Sequence, residues 1–276
     1  MRIYLKDIPP HIPVFSYIRK HTNIEKYFTM PTDSPTHQLI SLRHTLELDF
    51  IRDVSLQMLE QFGYHSWKTS DATPAYGGLS LVYNPQNLTN PNTQTLGTKD
   101  NTSKQFFYGH TQNTKVLRNS YFDTMSFRKL SPCVTESNFH MVLKVFSRSL
   151  TRSRLAVLNH SSHSLWHRDE TMFENIRVNI PLQTSKEYKF QLEKCSPTHL
   201  AYGNVYTWDT NRPHTVFSQK HSIDRIHLVL GFTPWFDYNE EEDCFTSNEF
   251  YGEMHPLDML IEGHVSDKIK GISEVH

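Results

Sequence analysis

Cysteine is scarce in this chain. Three residues, Cys133, Cys195 and Cys244, are spread over 276, an odd number with no Cys-x-x-Cys pairing. That excludes a disulfide-stapled scaffold and reads as reduced, buried thiols of a cytoplasmic protein. Excess charge is missing as well. Lys and Arg total 28 against 29 for Asp and Glu, a formal net charge of -1, which leaves no general electrostatic footprint for nucleic acid or an acidic membrane surface. No run is apolar and long enough to cross a bilayer, and residues 1–7 lack the apolar core of a secretory signal. The sequons at Asn87 and Asn101 are then expected to be chance matches. Internal repeats and low-complexity tracts are absent too.

What is present supports a packed interior. At 37% hydrophobic residues over 276 positions, the chain can bury a sizeable core as one large domain or two small ones. Residues 1–37 are broken by five prolines and are expected to form short strands and loops. Leu42, Leu46, Phe50, Val54 and Met58 recur at i+4, with Ile51 and Leu59 widening the stripe, so a supporting helix is predicted up to a stop at Gly63. Residues 76–83 read as a strand entered through a glycine turn. Residues 84–114 are polar and Asn/Thr-rich, a long loop that reads either as a lid or substrate loop or as a plainly flexible segment. Residues 135–138 can cap a second helix carrying Phe139, Val142, Leu143, Phe146 and Leu150. From Ser153 the apolar period becomes two, giving short strands at Leu155–Val157, 177–182, 188–192, 204–208, 215–218 and 225–230. Closely spaced short strands argue for a sandwich or barrel. The acidic run Glu240-Glu241-Glu242-Asp243 is expected to be a solvated loop, followed by a short helix at 256–260.

Residues that could carry chemistry concentrate between 166 and 231. His167 and Asp169 are separated by one residue, so on a strand both project to one side. A second imidazole, His214, comes 47 residues after His167, behind Pro213, which fixes the backbone ahead of it. Two histidines and a carboxylate can hold a metal on three sides and leave its other positions open. In a chain with 17 histidines a His-x-Asp pair is weak alone. Arg225 adds weight. It opens the alternating strand Arg225-Ile226-His227-Leu228-Val229-Leu230, and an inward arginine there needs an anionic partner because burying a lone charge is expensive. The guanidinium fork suits a carboxylate, whether of a protein side chain or of a dicarboxylate ligand. Arg177, sharing a strand face with Asn179, is a second inward arginine. His227 lies on the face of Arg225 and reads either as a cavity-lining residue or as a satisfied core histidine.

The order His167-x-Asp169, Arg-Val-x-Ile-Pro-Leu at 177–182, Gly-Asn-x-Tyr-x-Trp-Asp-Thr at 203–210, His214, and Arg-Ile-His-Leu-Val-Leu at 225–230 resembles the aspartyl/asparaginyl β-hydroxylase family. This is a group of Fe(II)- and 2-oxoglutarate-dependent oxygenases related to bacterial free-proline hydroxylases. The similar stretch covers residues 155–231, with a weaker likeness at 76–83. The resemblance implies a mainly β chain folded as a double-stranded β-helix, a cupin-like jelly roll, with flanking helices. It implies one oxygenase domain over 1–276: a flank at 1–150, a metal-binding core at 151–231 and an extension at 232–276. It carries Fe(II) ligation to His167, Asp169 and His214, 2-oxoglutarate binding to Arg225, and a second co-substrate contact to Arg177. Some animal members lack the carboxylate ligand, which this chain keeps.

The implied reaction uses O2 to hydroxylate a C–H bond of an amino acid, peptidyl residue or similar small molecule, with succinate and CO2 as co-products. Residues 84–150 and 232–276 match no member of known substrate, so the target stays open, with an amino acid or amino-acid-like molecule first. Two other classes keep part of the pattern: a cupin-type metalloenzyme without 2-oxoglutarate, and a non-catalytic β-barrel binding protein. Ser162 and His163 are candidates for touching the co-substrate, and Tyr121, Phe127 and Arg128 for approaching the pocket. Trp166 and Trp208 read as packing residues.

Overall fold

Seven antiparallel strands form the larger of two main sheets, in the order His37–Gln38, Tyr206–Thr207, Ile176–Gln183, Arg225–Phe232, Leu150–Leu158, Tyr76–Ser80 and His65–Trp67. The computed structural model describes residues 1–10, 12–22, 24, 36–67, 76–96, 106–111, 114–119, 123–143, 146, 149–159, 164, 166–218 and 223–265. The second main sheet has five strands, in the order Tyr188–Leu192, His214–Ser218, His167–Arg168, Thr114–Asn119 and Phe106–Thr111. The chain is thus mainly β, with antiparallel pairing dominant.

The central strands of the large sheet are buried on both faces, and their two faces do different work. Opposed residues in an antiparallel pair share a face. Val178 faces Leu230, and Ile180 faces Leu228, which in turn faces Leu155. This apolar face packs with Leu42, Ile51, Val54 and Met58 of two helices, Ile40–Thr45 and Leu48–Phe62. The alternate positions are polar. Asn179, Val229 and Arg154 stand on one rung, and Arg225, His227, Val229 and Gly231 run along one strand on that same side. An apolar outer face and a polar inner face follow directly from the period of two.

Several elements differ from the sequence expectation. The helix predicted as one is two, interrupted at Leu46–Glu47, and the break turns Phe50 outward to 43% exposure while Ile51 and Met58 stay in the core. The second predicted helix spans Phe139–Leu143 among the described residues, its first turn tied by Ser137 Oγ accepting from Phe139 N at 3.2 Å; Leu150 instead begins a strand. The proline-broken N-terminus holds a helix at Val14–His21, whose first amide donates to Asp123 Oδ2 at 3.1 Å. The polar stretch expected as one loop contains a 3-10 helix at Pro91–Leu96 and the strand Phe106–Thr111. Its partner Thr114–Asn119 runs parallel to the His167 strand. Phe106-Phe107-Tyr108 and Val116-Leu117 are good strand formers, hidden among Asn, Thr and Lys.

The two ends of the chain meet in a three-stranded sheet, Arg2–Tyr4 beside Cys244–Ser247 beside Phe236–Asn239. It sits over its own core, which includes Ile3, Phe15, Ile18, Trp235 and Phe245. The acidic run forms the exposed turn of its hairpin. The helix Pro256–Ile261 lies where the sequence places one. The three cysteines are free, Cys133 and Cys244 buried and Cys195 half-buried, and burial pushes the Cys133 thiol up to about 12. Among the described residues no helix is long and apolar enough to cross a membrane.

Gly231, on the polar face of the large sheet, shows how tightly that face is filled. A Cβ at this position would lie 2.5 Å from Thr151 O and 2.5 Å from the side-chain amide of Asn175. Thr151 O is backbone and cannot swing aside. Gly231→Ala is therefore expected to cost about 1–3 kcal/mol through overpacking. Thermal unfolding would register this as a drop of several degrees; an unchanged melting temperature would show that the backbone there yields.

Candidate metal centre

His167 and His214 are direct cross-strand partners. Their strands pair antiparallel in the smaller sheet, which brings the two rings to a centroid separation of 4.2 Å. Asp169, two residues beyond His167, leaves the strand end on the same side, held by its amide donating to Thr210 O at 2.9 Å. One Asp169 oxygen, Oδ2, lies 3.5 Å from His214 Nε2 and 3.9 Å from His167 Nε2. The three side chains place one ligand atom each within a single small cluster.

The donor set suits a divalent metal. An ion with metal–ligand bonds of about 2.1 Å can hold two ligand atoms no more than about 4.2 Å apart, and both measured separations fall inside that limit. His214 Nδ1 lies 2.9 Å from Arg212 O. A carbonyl can only accept, so Nδ1 carries the proton and Nε2 keeps its lone pair for a metal. Phe190 and Trp208 pack around His214 at ring-centroid distances of 6.0 and 6.1 Å. They keep its side chain at 5% exposure, while that of His167 is 29% exposed. The cluster is therefore walled on the His214 side and more exposed on the His167 side.

Behind the cluster lies a charged network that joins the two sheets. Arg177, on the polar face of the large sheet, donates from Nη1 to Asp169 Oδ2 and from Nη2 to Glu170 Oε2, the latter at 2.6 Å. Glu170 Oε1 accepts from Arg152 Nη1. With its amide oxygen turned toward Arg177, buried Asn175 accepts from Arg177 Nε at 3.2 Å and donates to Ile176 O at 3.3 Å. Burial by itself would raise the Asp169 carboxyl; the Arg177 cation, with His214 and His167, outweighs it and holds Asp169 well below the usual carboxylate range. Glu170 follows the same balance, burial against Arg177 and Arg152, and also ends low. Asp169 is thus ionised and fixed in direction, which is what a metal ligand requires.

The structure brings together His167, Asp169 and His214 as the sequence reading placed them. Arg177 is at the site, with its fork engaged by two carboxylates. Arg225 is 7% exposed on the polar face of the large sheet, its Nη2 2.9 Å from His227 Nδ1. Trp208 belongs to a packing cluster with Phe190, Leu192 and Tyr206, in line with its expected role. Arg128 turns elsewhere: its Nε donates to Tyr238 OH at 3.2 Å and lies 3.5 Å from Asp243 Oδ1, in the three-stranded sheet. Ser162, His163 and Tyr121 lie outside the described residues.

Sequence reasoning passed over Glu170, Arg152, Arg154 and Asn175. The signals were faint but present: a carboxylate adjoining Asp169, and arginines two apart in the buried Leu150–Leu158 strand. Arg154 and Asn179 are 6% and 4% exposed, and Arg154 Nε and Nη1 and Asn179 Nδ2 have no hydrogen-bond partner among the described residues.

Arg177→Leu is expected to destabilise the protein by about 3–5 kcal/mol, because it takes from Asp169 its guanidinium partner and leaves Glu170 paired with Arg152 alone. The sign with pH is fixed by the lowered folded value of Asp169. Its contribution is present above the unfolded carboxylate value of about 4 and is lost as pH falls toward the folded one. The deficit of the variant, read by urea unfolding, should be largest near neutrality and shrink on acidification; a pH-independent deficit would contradict the pairing.

No family model matches the sequence, and no curated protein matches it. Solved structures do show likeness. An oxidoreductase of the 2OG-Fe(II) oxygenase family from Burkholderia pseudomallei is 14% identical, with a TM-score of 0.36 over 64% of this chain and 76% of that one. A prolyl-4-hydroxylase from Pseudomonas putida is 9% identical, with a TM-score of 0.35 over 72% of this chain and 91% of that one.

Proposed function

We propose that the chain is an Fe(II)- and 2-oxoglutarate-dependent hydroxylase, with His167, Asp169 and His214 as the iron ligands and Arg225 as the anchor for the far carboxylate of 2-oxoglutarate. One observation carries this reading: a two-histidine, one-carboxylate cluster accompanied by a buried arginine on the polar face of the large sheet. On the same reading the two main sheets are the halves of a double-stranded β-helix, the polar face of the larger one turned to its interior.

Fe(II) held by the three ligands, with 2-oxoglutarate and O2, supplies the oxidation that turns a substrate C–H into C–OH and releases succinate and CO2. The chain's own residues orient and exclude. His214, its tautomer set by Arg212 O, and Asp169, held by Arg177, present fixed donors from one side and leave the opposite positions open. Phe190 and Trp208 keep water from the His214 side. Arg177, tied to Asp169 and Glu170, acts here as a support of the ligand carboxylate, a role that favours pairing over a direct co-substrate contact. The unmatched donors of Arg154 and Asn179 favour a substrate that carries a carboxylate, as a free amino acid does.

The test is anaerobic addition of Fe(II) and then 2-oxoglutarate. A weak visible absorption band is expected for the wild type and none for His167→Ala, while Arg225→Ala should need far more 2-oxoglutarate to develop it. With O2 admitted, Asp169→Ala should release no succinate in a screen over amino acids and short peptides. Undiminished succinate release by that variant would refute the assigned triad.

A further inference from the structure

Two of the three proposed ligands are held by one short turn, residues 209–212, closed by Arg212 N donating to Asp209 O at 3.2 Å. Thr210 O accepts from the Asp169 amide at 2.9 Å, and Thr210 Oγ1 donates to Glu170 O at 2.8 Å. Arg212 O accepts from His214 Nδ1 at 2.9 Å. The turn thus reaches Asp169 from one of its peptides and His214 from another.

The central peptide, between Thr210 and Asn211, decides whether the first of these contacts exists. A turn closed in this way has two common forms that differ by a flip of that peptide, and the flipped form needs a positive φ at the third residue. That residue is Asn211, of a type that tolerates a positive φ better than most. The sequence therefore leaves the flip open. The structure shows the other form, with Asn211 at negative φ. What holds it is Asp209, whose Oδ1 accepts from Asn211 N at 2.9 Å. The N–H and C=O of one trans peptide point in opposite directions. With Asp209 Oδ1 on the N–H of Asn211, the carbonyl of the same peptide is aimed at the Asp169 amide. A flip would face that carbonyl toward the Asp209 carboxylate and take the acceptor away from Asp169.

Asp209 and Thr210 are 4% and 1% exposed. Burial pushes the Asp209 carboxyl up, against the Asn211 amide and the Arg212 cation. Keeping such a group inside is costly, and it is not one of the three side chains of the metal cluster. We propose that Asp209 is a positioning residue of the metal centre, locking the Thr210–Asn211 peptide so that Asp169 and His214 are presented together. It acts through the geometry of one hydrogen bond and not through its charge. This inference rests on the assignment of His167, Asp169 and His214 as metal ligands and adds to it the residue that fixes their backbone support.

Three substitutions separate the bond from the charge. Asp209→Asn keeps the acceptor, since Asn bonds the amide two residues on as Asp does, and removes the charge. Asp209→Glu keeps the charge and moves the acceptor outward by one methylene. Asp209→Ala removes both. Titration of the metal-free proteins with Co(II), an oxygen-stable stand-in for Fe(II), reads affinity and coordination geometry from the visible absorption without any turnover. The expected result is a loss of Co(II) affinity of about 10- to 100-fold for Asp209→Ala and Asp209→Glu, the usual size for removing an outer partner of a ligand. Their band shape should change as well, while Asp209→Asn keeps the affinity and spectrum of the wild type. Amide hydrogen exchange should speed up at Asn211 and Asp169 in the Ala and Glu variants alone. Circular dichroism and thermal unfolding establish which variants are folded. Wild-type affinity in a folded Ala or Glu variant, or an equal loss in Asp209→Asn, would overturn the proposal. So would an unprotected Asn211 amide in the wild type itself, whatever the variants do. A wild-type protein that binds no Co(II), or binds it equally after His167→Ala, would instead remove the metal assignment on which the proposal stands.

Discussion

The Arg177 guanidinium, gripped by Asp169 and Glu170, is the interaction on which the site depends. It is the point where the two main sheets are joined by charge: the arginine stands on the large sheet, and the carboxylates follow the short His167 strand of the small one. Each partner is costly to bury alone and tolerable together. The second carboxylate is what makes the arrangement stiff. With only Asp169, the arginine fork could rotate about one contact; Glu170, itself tied to Arg152, fixes the plane of the fork and with it the direction of the Asp169 oxygens.

That stiffness is inherited from the packing beneath it. Asn175 reaches Arg177 because Gly231 leaves its inner face bare, and Gly231 is placed there by a strand whose other face is locked against two helices by Ile226, Leu228 and Leu230. The apolar layer does no chemistry, yet it sets the register of the strand, and a strand's register decides which side chains face inward. The polar face can therefore hold arginines and a buried histidine in a small space without the sheet slipping to a cheaper alignment.

Much of this was readable in the sequence, for a physical reason. The pair His167 and Asp169 obeys local geometry, i and i+2 on a strand, and the inward position of Arg225 obeys the same alternation against Ile226 and Leu228. Period-two segments marked nearly every strand of the core. What resisted reading was whatever depends on tertiary contact. Glu170 gains meaning only when Arg152 and Arg177 arrive from two other strands. Phe50 matches the helical stripe yet faces solvent, because the break at Leu46–Glu47 resets the helix phase. Strand residues at 106–111 and 114–119 are surrounded by turn formers, so composition averaged their signal away.

The cross-strand register of His167 and His214 also bears on the order in which the molecule is made. In the unfolded chain His167 and Asp169 are already neighbours, whereas His214 is separated from them by a loop whose closure carries an entropic penalty. The third donor arrives only when the two strands pair, and Arg177 can clamp Asp169 only after the two sheets have come together. A metal ion meeting the chain before that moment finds two ligands of the three and no clamp. On the proposed reading, tight metal binding would thereby be a late event, one that reports on completed sheet assembly and draws part of its strength from the folding free energy itself.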